Sequence, residues 1–256
     1  MAIDTHAAPH NSHGAADLAH GMEDGHHGVL QHQFDDLEQQ RESFNLGMWL
    51  FLATEVMMFG GLFFAYTLYR WKNPVAFEVG ASHLNHLVGT ANTFVLLFSS
   101  WTMALAVHAA AERKARSLVF YLGITFLLGA VFLGVKGYEW YVDFQEGLIP
   151  GVNWTYYANP QHAHELVTKN ILPNNVLMYF VIYFMMTGLH AIHMIIGLGL
   201  VGTFMWMGAR GKFTNGNDQP VEILGLYWHL VDIVWVFLFP LLYLIGGLQL
   251  FKTGGH

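Results

Sequence analysis

Cysteine is missing from all 256 residues, so disulfides, thiolate-bound metals and thiol chemistry are excluded. Charge is scarce as well. Charged residues make up 11% of the chain, against about a quarter in soluble domains. The 11 Lys and Arg gather into no basic patch, which removes the electrostatic footprint expected for nucleic acid. The opening stretch "MAIDTHAAPHNSHGAADLAHGMEDGHHGVL" lacks the basic start and apolar core of a secretory signal.

What is abundant is hydrocarbon. Hydrophobic residues are 54% of the chain, with 20 Phe and 12 Met; such a chain has bilayer as its main solvent. A membrane-spanning helix needs about 20 mainly apolar residues. Five stretches qualify: residues 44–69, 86–110, 117–142, 174–209 and 221–249. The expected fold is therefore all-α, an integral membrane bundle of five transmembrane helices over residues 44–256. A polar tail, residues 1–43, precedes it with eight of the 18 acids, Arg41 as its one base and seven histidines. Within "LQHQFDDLEQQR", Leu30, Phe34, Leu37 and Arg41 repeat at helical spacing and predict a short surface helix. The fourth stretch would reach about 50 Å as one helix, so it is expected to tilt or project. The loop that follows the third carries Pro150, Pro160, Pro173 and "NWTYY"; loops of that length usually hold structure or a partner.

Lysine and arginine set the orientation. Arg41, Arg113, Lys114, Arg116, Arg210 and Lys212 fall on one side, against Arg70, Lys72, Lys169 and Lys252 on the other. The N-terminus is thus expected in the cytoplasm and the C-terminus outside.

Ionisable groups inside the spans are costly and must face protein or trapped water. Here they are Glu55, Lys136, Glu139, His190, His193, His229 and Asp232. Helices in lipid associate through small residues and hydrogen bonds, and glycines such as Gly60, Gly61, Gly129, Gly134, Gly197 and Gly199 supply the former. Three roles compete for the ionisable groups. As a metal site, His190 and His193 share a helix face. However, counting 1.5 Å per residue from the cytoplasmic ends puts His193 about 24 Å in and His229 about 12 Å, too unequal for axial ligands. No Glu-x-x-His pair suggests a di-iron bundle either. As a proton route, Glu55 at about 16 Å lies level with His229 and Asp232. As structure, Asp232 would orient His229 one turn away, and Lys136 would pair with Glu139, with Asp143 on the same stripe. The structural role is favoured.

Five stretches in order carry a resemblance: "LGMWLFLATEVMMFGGLFFAY" (46–66), "TANTFVLLFSSWTMALA" (90–106), "FLGVKGYEWY" (132–141), "TGLHAIHMIIGL" (187–198) and "YWHLVDIVWVFLFPLLYL" (227–244). Together they resemble subunit III of haem–copper oxidases, in the five-helix bacterial form without the first two of the family's seven helices. The resemblance implies a non-catalytic subunit of a proton-pumping terminal oxidase that reduces oxygen to water in the bacterial plasma membrane. In that family haem and copper reside in subunits I and II, so no catalytic, cofactor-binding or metal residue is expected here. Subunit I is the main implied partner, subunit II and other oxidase subunits follow, and phospholipid is the implied ligand. Glu55 matches the family's buried glutamate, and Glu139, His190, His193, His229 and Asp232 match its other in-membrane polar positions. "TEVMMFGG" around Glu55 resembles cytochrome c oxidases more than quinol oxidases, whose subunit III is the alternative, as is a homologue beside nitric oxide reductase. A free-standing proton-coupled transporter is the alternative of a different class, without the internal repeat such proteins commonly show.

Overall fold

The computed structural model describes residues 37–211 and 219–244. Most of the polar tail, including the predicted surface helix at Leu30 and Phe34, lies outside the described residues, as do Lys212, Lys252 and the last residues of the fifth predicted span. The chain divides into two compact units, residues 1–49 and 50–256. All regular structure among the described residues is helical, with no strand.

Five helices are long and apolar enough to cross a membrane. They are α1 (Leu37–Lys72), α3 (His86–Ala111), α4 (Ala115–Gln145), α6 (Pro173–Ala209) and α7 (Gln219–Phe239). Two short helices, α2 (Pro74–Ser82) and α5 (Pro160–Thr168), lie between spans. The expected spans are all present. α1 begins earlier than the apolar stretch, because "LEQQRES" is polar yet made largely of good helix formers.

The ends have local causes. Pro74 lacks an N–H and clashes with a preceding helical turn, so α1 stops at Lys72 and Pro74 opens α2 instead. Asn85 caps α3, its side chain accepting from the N–H groups of Leu87 and Val88 at 3.1 and 3.3 Å. α4 ends in a glycine turn: Gly147 has φ +70, and Leu148 N–H returns to Asp143 O at 3.0 Å. In the α3–α4 turn Glu112 and Lys114 pair at 2.8 Å. That hydrogen bond holds the Glu112 carboxyl below the usual glutamate range and the Lys114 amine above its own. α7 meets Pro240, where a missing N–H converts its last residues to a π-helix, Pro240–Leu244. Tyrosines cover the exposed carbonyls: Tyr66 of α1 donates to Leu241 O, and Tyr179 of α6 to Leu242 O at 3.0 Å.

The core of the second unit is built around α7, the most buried span. Trp228 is fully buried, and two glycines make room for its indole. A Cβ on Gly129 of α4 would lie 2.9 Å from Trp228 Cη2, and one on Gly197 of α6 would lie 3.1 Å from Cζ3. Gly80 of α2 similarly admits Tyr179, whose Cδ1 would sit 2.2 Å from an added Cβ. Gly60, Gly61, Gly134 and Gly199 have open space where a Cβ would stand. Of the glycines expected to join helices, only some do so within this chain.

Candidate functional site

Hydroxyls and indoles join the spans. Along α3, Thr93 and Ser99 accept from the indole N–H groups of Trp235 and Trp228, each at 3.1 Å. Next to Ser99 in the sequence, Ser100 meets His229 Nδ1 at 2.6 Å. Thr93 and Ser100 of α3, and Trp228 and Trp235 of α7, are each seven residues apart, so each pair shares a helix face. α3 joins α4 through Thr102 and Thr125, 2.8 Å apart, and through Asn92 Nδ2 donating to Phe132 O at 3.3 Å.

Glu55 of α1 and His193 of α6 form the first ionisable cluster, with Oε2 3.0 Å from Nε2 and both side chains mostly buried. His193 Nδ1 lies 2.8 Å from Leu189 O, a contact that only an N–H can make, so Nδ1 carries a proton. The Nε2–Oε2 contact then needs one proton more, since two lone pairs would repel. It resides on the ring, as an imidazolium–carboxylate pair, or on the acid. The oxygen satisfies an ion-pair distance but not the alignment of a hydrogen bond. Phe59 packs edge-on to the ring, centroids 5.5 Å apart, and Tyr227 of α7 donates to His193 O at 2.9 Å.

This partner differs from the expected one. Depth counting placed Glu55 beside His229 because it started α1 at Phe44. The structure instead brings Glu55 of α1 level with His193 of α6.

The second cluster is built on α4 and agrees with the expected pairing of Lys136 and Glu139, which meet at 3.2 Å. Lys136 also donates to Tyr183 Oη at 3.1 Å and to Tyr243 Oη. Both tyrosines pass their own protons to Glu139 Oε1, Tyr183 at 2.9 Å. The ammonium thus spends three donors on three acceptors, and the carboxylate receives from all three partners. Its Nζ also lies 5.0–5.2 Å from the ring centroids of Tyr183, Trp235 and Tyr243, close enough for cation–π attraction. Asp143, buried on the same stripe, stands outside this ring of bonds, with Oδ2 lacking a hydrogen-bond partner.

The expected pairing of His229 with Asp232 is replaced. His229 turns to Ser100 on α3, and no hydrogen bond or ion pair joins it to Asp232 among the described residues. Asp232 is buried with both oxygens outside hydrogen-bond geometry, although the Ser100 hydroxyl lies close by. Residues three apart share a helix face, but their side chains leave it in different directions. His190 is buried against Trp235 and Phe132, with centroids 5.0 and 5.7 Å away, and neither ring nitrogen has a hydrogen-bond partner. The three in-membrane histidines therefore turn to three different neighbours. The residues missed in the sequence are Ser100, Tyr183, Tyr227 and Tyr243. Each is a lone hydroxyl in an apolar run, a weak signal until the partner helix is known.

Residues 31–145 and 154–247 match the family described as cytochrome c oxidase subunit III. A probable quinol oxidase subunit 3 of Staphylococcus aureus is 27% identical over 212 residues, covering 83% of this chain and 94% of the relative. The protein of the same description from Staphylococcus haemolyticus is 27% identical over 201 residues, covering 78% and 88%.

Proposed function

The chain belongs to the cytochrome c oxidase subunit III family, and we propose that it is an accessory, cofactor-free membrane subunit of a proton-pumping terminal oxidase. The observation that carries this reading is the closure of the ionisable clusters on themselves. Glu55 with His193, Ser100 with His229, and Lys136 with Glu139 and two tyrosines are separate sets. No hydrogen bond or ion pair among the described residues links one set to another. A free-standing proton-coupled transporter would be better served by groups lining one route. Clusters of this kind hold helices together in lipid, where a hydrogen bond replaces an unsatisfied polar group.

In this role the chain packs beside subunit I, with subunits II and I carrying copper and haem. In this reading the Glu55–His193 pair supports proton uptake by the partner. The electron donor acts on the partner subunits; "TEVMMFGG" favours cytochrome c. A second reading, quinol as donor, is supported by the descriptions of the staphylococcal relatives. The excess of Arg and Lys at the α3–α4 turn and after α6 supports a cytoplasmic N-terminus in a bacterial plasma membrane.

The test is affinity purification of the full chain from its native membrane. Haem-bearing partners should accompany it, and the complex should consume oxygen with reduced cytochrome c or with quinol, which assigns the donor. A chain that emerges alone and moves protons in vesicles would replace this reading with the transporter. Labelling of Ser12→Cys by an impermeant reagent from outside the cell would reverse the orientation.

A further inference from the structure

His229 stands near the middle of the membrane layer. Ser100, its contact on α3, is about 21 Å from the start of that helix and about 17 Å from its end. Nδ1 of the ring is taken up by Ser100 at 2.6 Å. Nε2 makes no hydrogen bond or ion pair among the described residues, and it is not enclosed: the ring is partly exposed, with this nitrogen at the surface of the chain. α1 does not cover it. α1 approaches α7 at Tyr227, whose ring stacks on Phe51 with centroids 6.0 Å apart. Two residues on, His229 lies about 200° further round the helix, on the seam between α7 and α3.

Ser100, His229 and Asp232 make a polar notch in that seam. The Ser100 hydroxyl has one proton to give, and two groups compete for it. One is His229 Nδ1; the other is Asp232, buried beside it with both oxygens outside hydrogen-bond geometry. If serine donates to Asp232, Nδ1 holds its own proton and Nε2 is a bare acceptor. If serine donates to Nδ1, Nε2 of the neutral ring is a donor. In both arrangements Nε2 faces outward with unmet hydrogen-bonding capacity, which hydrocarbon does not satisfy. The rim of the notch is apolar. Leu97, three residues before Ser100, and Ile233, four after His229, are 47% and 53% exposed. Ala104 is exposed as well, so two small side chains, Ser100 and Ala104, stand one turn apart on α3, a spacing that lets a second helix come close.

We infer that the α3–α7 seam is a subunit contact: a transmembrane helix of the haem-bearing partner lies along Leu97, Ala104 and Ile233 and sets a hydroxyl or carboxamide side chain against His229 Nε2. Such a side chain both donates and accepts, so it satisfies Nε2 in either proton arrangement, and it brings no second charge beside Asp232. A helix can deliver it at this depth because its own backbone is satisfied internally. A lipid chain would fill the rim but leave Nε2 bare. The identity of the partner rests on the accessory-subunit reading. The need for a hydrogen-bonding neighbour rests only on His229 lying in a bilayer.

The test uses the full chain in its native membrane, with the photoreactive residue benzoylphenylalanine placed at Leu97 or at Ile233. Irradiation should join the chain to a haem-bearing partner from both positions. His229→Asn separates the contact from folding, because the asparagine side chain can still bond Ser100 but ends short of Nε2. It should leave the thermal midpoint of the isolated chain near the parent's. It should weaken partner retention in a detergent series about fivefold, the worth of one hydrogen bond between membrane helices. Ala104→Leu adds bulk at an exposed position, so the isolated chain should unfold as the parent does while retention falls about tenfold by overpacking the contact. Capture of lipid alone, or of a second copy of the chain, overturns the inference, as does retention unchanged in both variants. If haem-bearing partners still accompany the chain in those cases, the accessory-subunit reading stands. A chain that emerges alone takes both down.

Discussion

Glu55 Oε2 and His193 Nε2 stand 3.0 Å apart, a contact that joins α1 to α6. Glutamine can replace the acid here, because its amide N–H can donate to the ring nitrogen. Glu55→Gln should therefore assemble normally but lose the ionisable carboxyl. Oxygen consumption should start at the parental rate and then decay faster over many turnovers, most visibly at high pH, where protons are scarce. Identical decay at every pH would reduce Glu55 to a helix lock. His193→Leu removes one partner and leaves the acid buried, at a cost of about 3–5 kcal/mol if the pair is ionised. That variant should lower the thermal midpoint of the purified complex, which Glu55→Gln should leave nearly unchanged.

Ser100→Ala and His229→Leu break the same hydrogen bond. Each should cost about 1 kcal/mol, in line with side-chain hydrogen bonds between membrane helices. The double variant should cost less than the sum, because the second change finds the bond already gone. Full additivity in denaturant unfolding of the parent and three variants would show that the 2.6 Å contact contributes nothing.

Lys136 is fully engaged, so its loss should be among the most damaging single changes. Lys136→Met strands Glu139 in the protein interior, at about 3–5 kcal/mol. Adding Glu139→Gln removes the uncompensated charge and should recover part of that loss. A double variant no more stable than Lys136→Met would mean that packing against Tyr183, Trp235 and Tyr243, rather than charge, is what matters.

The glycines separate into two kinds. Gly129→Ala drives a methyl to 2.9 Å from the Trp228 ring, and overpacking of this sort costs about 1–3 kcal/mol. Gly134→Ala meets nothing within 4 Å, and in mid-helix alanine is favoured over glycine by about 1 kcal/mol. Thermal unfolding of the two variants should move in opposite directions. A Gly134→Ala variant that unfolds normally but no longer co-purifies with its partners would place that face of α4 at a subunit contact.

Length and apolarity of each run determined the five spans, because backbone polar groups in lipid must be satisfied within a helix. The Lys136–Glu139 pair was equally legible, both residues lying one turn apart on the same helix, and the ordered motifs carried the family. What the tertiary structure decided was every choice of partner between helices. Glu55 meets His193 because of the height at which α1 packs against α6, which an apolarity count along one helix leaves out. His229 meets Ser100 rather than Asp232 because α3 and α7 pack in one register, with Ser99 and Ser100 facing Trp228 and His229. Gly129 and Gly134 read alike in the sequence, and only the position of the Trp228 ring tells them apart. Contacts within a helix follow from residue spacing, but contacts between helices depend on tilt, register and starting height, which no single stretch of sequence encodes.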